Sequence, residues 1–260
     1  MNIKIIGIRF AVITESIDAP KCYAELKPSE LFHSYRIESA ANNQIMMEIN
    51  LSSLSQALTS AKNSEADTIQ IKLTKKEGKS NLAIAGRGKQ LLSYDILHYI
   101  SIVLLQPDSI NHFLPPNVPP PEVALQLPPG KFMRTIIDRM GKLSKTMTLI
   151  AYQSGRLVLS VNQDLVNIKT YFTGLEAEWG MLDREQNLTN SAKIILDVRK
   201  FSNVLRITFA QSYDKVTLYV TDNSILVVHL ILKPDVGAIT IYVPVVTRPD
   251  DDDDEGEGEN

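Results

Sequence analysis

Residues 193–232 read KIILDVRKFSNVLRITFAQSYDKVTLYVTDNSILVVHLIL. The stretch begins with alternating apolar and polar residues, changes to apolar residues at helical spacing in RKFSNVLRITFA, and ends with two alternating runs around TDN. A side-chain period of two is typical of strands, and a period of 3.6 is typical of helices. The stretch therefore predicts a strand, a helix and two further strands joined by a turn.

Two earlier segments, residues 45–85 and 122–161, show the same order of patterns. The three predicted helices start near residues 51, 130 and 198, so the units recur about every 70 to 80 residues. This spacing indicates an internal duplication rather than a solenoid. Further strands are predicted at KCYAELK, RIESA, NIKTYFTG and AITIYVPVV, with short turns between most of them. The fold class is therefore α+β, dominated by antiparallel sheet.

A fourth copy of the unit is expected before residue 20 if each of two domains holds two units. Only its closing strand, at residues 5–13, is visible in the sequence. Either a first strand and helix are missing from the first domain, or that domain is simply smaller; we favour the missing elements.

The composition is that of a globular protein, with 44% hydrophobic and 22% charged residues among 260. A single cysteine, Cys22, cannot form an internal disulfide, which favours a reducing intracellular compartment. The longest late apolar run, SILVVHLIL at residues 224–232, is far shorter than the roughly 20 residues of a membrane-spanning helix. We therefore expect no membrane association.

The net charge of −3 is unevenly distributed along the chain. Residues 250–260 read DDDDDEGEGEN and carry eight acidic groups, so residues 1–249 carry a net charge of +5. We call residues 248–260 the acidic tail and predict that it is disordered, because it has almost nothing to bury. It is either a solubilising end or a segment that screens a basic surface or docks a partner.

The second and third predicted helices are amphipathic, with basic outward faces. On the second, we expect Phe132, Ile136, Ile137, Met140 and Leu143 to face inward, with Lys131, Arg134, Lys142 and Lys145 opposite, Arg139 at the edge and Asp138 among them. On the third, we expect Val198, Phe201, Leu205 and Thr208 to face inward, with Arg199, Asn203 and Arg206 opposite and Lys200 beside them. Such faces are either solvated surface or, if the helices lie side by side, a patch for a phosphate backbone.

Seven of the thirteen prolines fall in LPPNVPPPEVALQLPPG, residues 114–130. Proline lacks an amide hydrogen and holds φ near −65°, so this run suits an extended connector between two domains. A polyproline ligand for another protein is the alternative. We predict a first domain at residues 1–106, a connector at 107–121 and a second domain at 122–247, followed by the acidic tail.

The sequence shows no catalytic constellation. The four histidines, His33, His98, His112 and His229, are scattered and lack spaced acidic or cysteine partners, so we assign no metal site. GRGKQ at residues 86–90 lacks the spacing and the Ser or Thr of a P-loop, and neither GxSxG nor GxGxxG occurs. We therefore expect no enzymatic activity and no cofactor.

Residues 37–84, the connector PNVPPPEVALQLP at 116–128, and the late motifs DVRKFSNVL and IYVPVV resemble the HUS-one family of checkpoint clamp subunits. The resemblance spans nearly the whole chain up to about residue 246. It implies a fold like PCNA, with two similar domains, outer antiparallel sheets and helices lining a ring around duplex DNA. In this chain the first domain departs from the family pattern, because the opening strand and helix are absent.

The resemblance also implies two different partner subunits, of the Rad-nine and Rad-one types, a clamp loader and a nuclear location. Through it, the candidate DNA-facing residues are Lys62, Lys131, Arg134, Arg139, Lys142, Lys145, Arg199, Lys200 and Arg206. His112, Phe113 and Leu114 are the candidate partner-docking residues of the connector. Two alternatives stay open: a homotrimeric replication-type clamp and a β-rich protein-interaction scaffold.

Overall fold

The computed structural model describes residues 7–12, 14, 16, 18–64, 66–87, 96–128, 132–163, 166–178, 191–209 and 213–246. Its strands are β1 (Ile8–Val12), β2 (Lys21–Leu26), β3 (Met47–Ile49), β4 (Thr68–Lys76), β5 (Lys79–Arg87), β6 (Ile96–Leu104), β7 (Val123–Gln126), β8 (Thr146–Tyr152), β9 (Arg156–Gln163), β10 (Val166–Phe172), β11 (Ser191–Asp197), β12 (Tyr213–Thr221), β13 (Ile225–Leu232) and β14 (Gly237–Pro244). Its helices are α1 (Pro28–Leu31), α2 (Leu51–Asn63), α3 (Phe132–Met140) and α4 (Val198–Leu205), with 3-10 helices at Pro107–Phe113 and Arg206–Phe209.

The predicted unit of strand, helix, strand, turn and strand occurs three times: β3-α2-β4-β5, β7-α3-β8-β9 and β11-α4-β12-β13. Neighbouring strands pair antiparallel, as in β4–β5, β8–β9 and β12–β13. The α+β class with antiparallel sheets is therefore confirmed. No helix among the described residues is both long and apolar enough to cross a membrane.

The strand predicted at RIESA, residues 36–40, is wrong: this segment forms no strand. The Ser39 hydroxyl donates to the Gln44 carbonyl at 2.7 Å, and the Asn43 side chain accepts from the Ser39 amide at 3.1 Å. Asn42 and Asn43 both have positive φ. Local side-chain hydrogen bonds thus hold a turn where the apolar alternation alone predicts a strand.

The chain divides into two compact units, Met1–Tyr35 with Pro115–Asn260 and Arg36–Leu114. We call the first the two-sheet unit, because it contains a six-stranded sheet in the order β1-β2-β14-β13-β12-β7 and a four-stranded sheet in the order β10-β9-β8-β11. We call the second the one-sheet unit; its sheet has the order β3-β6-β5-β4.

The two-sheet unit has one continuous apolar core. Both sheets contribute fully buried side chains, such as Leu159 and Leu218, and helices α3 and α4 contribute Ile137 and Phe201. Alternate residues of the strands face this core, as the period of two predicts. The helices are therefore fixed by packing over several strands.

The one-sheet unit has a much smaller core. Ala57 and Ala61 of α2 pack against Ile84 of β5 and Ile100 of β6. In the two-sheet unit, β7 pairs with the outer edge of β12, whereas the described residues supply no such partner to β4, the corresponding strand.

The unit boundaries differ from the predicted domains at the start of the chain. Strands β1 and β2, which we expected in a first domain of residues 1–106, extend the six-stranded sheet, because β2 pairs with β14 from Lys21 to Leu26. The period of two identifies a strand but carries no information about which edge it joins. The other boundary, between Leu114 and Pro115, falls inside the predicted connector at 107–121.

Candidate nucleic-acid interface

The buried face of helix α3 differs slightly from the face that a helical wheel of its sequence predicts. Met133, Ile137 and Met140 are buried, while Phe132 is 71% exposed. Phe132 packs edge to face against Phe172, with ring centroids 6.3 Å apart. The inward positions predicted for Phe132 and Leu143 are therefore wrong: Phe132 is the first described residue of α3, and Leu143 lies in a turn after the helix ends at Met140.

Arg134, predicted to face DNA, instead connects the two helices. Its side chain is 20% exposed, and Nε lies 3.3 Å from Asp138 Oδ2 and 3.4 Å from Ser202 Oγ. Ser202 Oγ, on α4, donates to Asp138 Oδ1. Asp138 therefore neutralises Arg134, and the three side chains form a polar link between α3 and α4.

Helix α4 has the inward face that its sequence predicts. Val198, Phe201 and Leu205 are buried, and the Asp197 side chain caps the helix by accepting from the Lys200 amide at 2.9 Å. The exposed face carries Arg199, Asn203 and Arg206. The Thr208 side chain lies outside the described part of the chain.

The end of α3 meets the start of α4. The Val198 amide donates to the Lys145 carbonyl at 2.9 Å. A Cβ added to Gly141 would lie 3.1 Å from Val198 Cγ1. Lys142, Lys145 and Arg199 adjoin these contacts, and all three are exposed; we call them the three-cation cluster.

The other candidate residues have different surroundings. Arg139 and Arg206 are exposed, while Lys200 Nζ donates to the Asp18 carbonyl at 2.6 Å. Lys131 lies outside the described residues. Lys62 is exposed in the last turn of α2, in the one-sheet unit.

The arrangement of α3 and α4 can bind phosphate groups without reading bases. Within the described residues, no member of the three-cation cluster forms an ion pair. Unpaired surface cations attract phosphates and release counterions, which gives salt-sensitive, sequence-independent contact.

The connector residues begin in a 3-10 helix rather than an extended strap, because Pro107–Phe113 is helical. His112 lies within it and is exposed, while Phe113 and Leu114 are 38% and 47% exposed. From Pro115 to Pro121 the chain has no regular secondary structure, in keeping with its five prolines. The docking role of these residues stays a prediction.

A polar network in the two-sheet unit has no counterpart in the predictions. Glu178 accepts hydrogen bonds from Thr217 Oγ1 at 2.9 Å and from the Tyr219 hydroxyl at 3.0 Å, and it pairs with Lys215. The alternation of Lys215, Thr217 and Tyr219 along β12 indicates in the sequence that these three side chains lie on one face of the strand. The acid that joins them comes from a loop far away in sequence, so no local pattern reveals it.

The network shifts the pKa values of its members. Partial burial raises the pKa of Glu178, but the hydrogen bonds from Lys215 and the two hydroxyl groups outweigh it, so the net pKa is lowered. Burial and the Glu178 charge raise the pKa of Tyr219 to about 12. Burial lowers the pKa of His229, whose Nδ1 lies 3.0 Å from Thr240 Oγ1.

The histidines do not gather into a site in the described part of the chain. No group of three or more His, Cys, Asp or Glu side chains among the described residues could hold a metal ion. The candidate site in the described residues is the basic surface on the two packed helices α3 and α4.

The fold is that of the PCNA clamps. A crystal structure of PCNA from Thermococcus kodakaraensis superposes with a TM-score of 0.65 at 16% sequence identity, covering 93% of this chain and 87% of that one. A protein-family model described as Hus1-like protein matches residues 1–247. The chain belongs to the Hus1-like family.

Three curated relatives are similar over long stretches. The checkpoint protein hus1 homolog of Dictyostelium discoideum is 28% identical over 245 residues, which are 93% of this chain and 87% of that protein. Checkpoint protein HUS1 of Homo sapiens is 28% identical over 189 residues, 70% of this chain and 67% of that protein. Checkpoint protein hus1 of Schizosaccharomyces pombe is 27% identical over 165 residues, 64% of this chain and 58% of that protein.

Proposed function

We propose that this chain is a non-catalytic subunit of a DNA-damage checkpoint clamp that encircles duplex DNA in the nucleus. It would form a heterotrimeric ring with two different subunits, of the Rad-nine and Rad-one types, placed on DNA by a clamp loader. The checkpoint names of its relatives and the PCNA fold support this assignment.

The observation that carries the proposal is the basic surface of α3 and α4. Two helices at equivalent positions of an internal repeat pack side by side and expose Arg139, Arg206 and the three-cation cluster. Contacts between such side chains and phosphates carry no direct information about base sequence. A ring that slides needs contact of this kind, which holds phosphates at any sequence.

The edge of the four-stranded sheet supports assembly with partners. β10 is its outer strand and, within the described residues, pairs on one side only. Tyr171 and Val166 on this strand are exposed apolar or aromatic side chains. An exposed edge strand can extend its sheet with a strand from another chain.

The first test is assembly. We expect the full chain, co-expressed with subunits of the Rad-nine and Rad-one types, to elute in sizing chromatography as a three-chain complex. A stable homotrimer of the chain alone would favour the homotrimeric replication-type clamp instead.

The second test is the salt dependence of duplex binding by that complex. With Lys142→Glu and Lys145→Glu together, we expect the negative slope of the log association constant against log salt concentration to become shallower by about 2. We also expect the affinity to drop about tenfold or more. The matched control is Lys193→Glu with Lys233→Glu, two exposed lysines that lie outside α3, α4 and the edge strand β10. If both pairs had the same effect, or neither had any, the protein-interaction scaffold would be favoured.

A further inference from the structure

The described chain ends at Val246, beside strand β11, whose far end leads into the three-cation cluster. Pro244 lies opposite Ile225 at the end of β14, near Asn223, whose amide donates to the Lys193 carbonyl at 2.9 Å. Two residues later, the Val246 amide donates to the Ile195 carbonyl at 2.8 Å. The chain thus advances along β11 from the level of Lys193 toward Asp197, where α4 begins.

The cluster lies at that same end of β11. The amide of Val198, the first residue of α4, donates to the Lys145 carbonyl. The Val198 side chain lies close to Gly141, which precedes Lys142. Asp250, the first acid of the tail, lies four positions after Val246. Four extended residues span about 14 Å, and the three residues from Ile195 to Val198 span about 10 Å, so the chain between Val246 and Asp250 is long enough to reach the start of α4.

Charge also matches the tail to this surface. Eight carboxylates occupy residues 250–259, and no basic residue interrupts them. The side chains of the cluster have no ion-pair partner in the described ranges.

Two other cationic side chains of the two-sheet unit, Arg156 and Lys169, fit the tail less well. Arg156 lies over two aromatic rings, 5.0 Å from the centroid of Tyr152 and 5.2 Å from that of Tyr171. Lys169 is on β10, three strands away from β11.

We propose that the acidic tail of this chain binds its own three-cation cluster, Lys142, Lys145 and Arg199. Because the cluster is also the candidate phosphate surface, the bound tail competes with DNA and is displaced when a duplex occupies the surface. This second consequence rests on the proposed function, whereas tail binding does not.

Amine labelling tests the contact directly. In the full chain at low salt, we expect an amine-reactive acetylating reagent to modify Lys142 and Lys145 about threefold more slowly than in a variant with all eight tail acids changed to Asn or Gln, because bound carboxylates stabilise the ammonium form. Raising the salt to about 0.5 M should remove the difference, because it shortens the screening length. Lys169 is the internal control and should react equally in both proteins.

Carbodiimide cross-linking identifies the partner groups. We expect tail carboxylates to join Lys142 or Lys145, and a mixture of isotopically light and heavy chains to give cross-links within one chain only. Equal labelling of Lys142 and Lys145 in the two proteins, cross-links mainly to Lys169 or Lys193, or mixed-isotope cross-links to a second copy would each overturn the proposal.

Duplex binding by the three-chain complex separates the two proposals. Neutralising the tail should tighten binding roughly tenfold at low salt. If the cross-links and labelling appear as expected but this affinity does not change, the tail site stands and the assignment of the cluster to DNA fails.

Discussion

At the scale of single residues, Glu178 is a partly buried acid with several polar partners in the two-sheet unit. Its carboxylate joins a loop to strand β12 through Lys215 and two hydroxyl groups. A carboxyl whose pKa is lower in the folded than in the unfolded protein stabilises the fold above its unfolded pKa. That stability is lost as the pH falls through the lowered pKa of the folded state.

We therefore predict that Glu178→Gln lowers the free energy of unfolding by about 1.5–3 kcal/mol at pH 7, the usual range for hydrogen bonds to charged groups. The difference from the unsubstituted protein should shrink as the pH falls below the ordinary carboxyl pKa, because that protein then loses the same charge. Urea denaturation across this pH range measures it. Glu176→Gln is the matched control, since Glu176 is exposed and should change stability little; equal effects of the two substitutions would contradict the prediction.

Residue identity alone was a poor guide to which cations are available. Arg134 and Lys142 belong to the same predicted basic face, yet Arg134 is held by Asp138 and Ser202 while Lys142 is exposed. The wheel places Asp138 near Arg134, but Ser202 comes from another helix. Its position depends on how the helices pack, which the wheel does not contain.

At the scale of elements, the pairing of α3 with α4 positions the candidate interface. Buried apolar side chains hold each helix on the core, and the polar link through Ser202 sets one contact between them. The approach at Gly141 leaves little room for a side chain.

We predict that Ser202→Ala lowers the free energy of unfolding by about 1–3 kcal/mol, because it leaves Asp138 and Arg134 with one fewer hydrogen-bond partner in a half-buried place. Chemical denaturation measures this. Asn203→Ala, one residue further on and exposed, is the control and should cost less than about 0.5 kcal/mol. The proposed link would be refuted by a Ser202→Ala protein as stable as the control.

Elements were predictable where one periodicity runs unbroken. The unit of residues 193–232 appears as β11-α4-β12-β13, and the segments at 45–85 and 122–161 repeat it. Prediction failed at RIESA, where side-chain hydrogen bonds of Ser39 and Asn43 decide the backbone. It also failed for Leu143, since α3 ends at Met140, and for Phe132, which lies at the first described position of α3 and packs against Phe172.

At the scale of the whole molecule, the two units have cores of different size. The two-sheet unit buries large side chains from both its sheets and two helices. The one-sheet unit rests on Ile84, Ile100 and two alanines, and Ile71 on β4 stays 37% exposed. Local opening costs less where fewer apolar contacts must be broken.

We predict that the free energy of the local opening that allows amide hydrogen exchange is at least about 2 kcal/mol lower for β5 than for β9. Native-state exchange of the full chain, followed by mass spectrometry or NMR, measures both strands in one sample. Repeating it on the three-chain complex shows whether partners stabilise the one-sheet unit. Equal protection of β5 and β9 in the isolated chain would contradict the prediction.

The sequence by itself determined the class of fold, the unit that occurs three times, the inward face of α4 and the family. These features depend on local periodicity and on the order of motifs, which can be read within single stretches of the chain. Only the tertiary structure decided that β1 and β2 join β14, that Arg134 is neutralised, and that the end of α3 meets the start of α4. Each of these depends on contacts between residues far apart in sequence. Such contacts arise from packing and sheet-edge pairing, which no local pattern encodes.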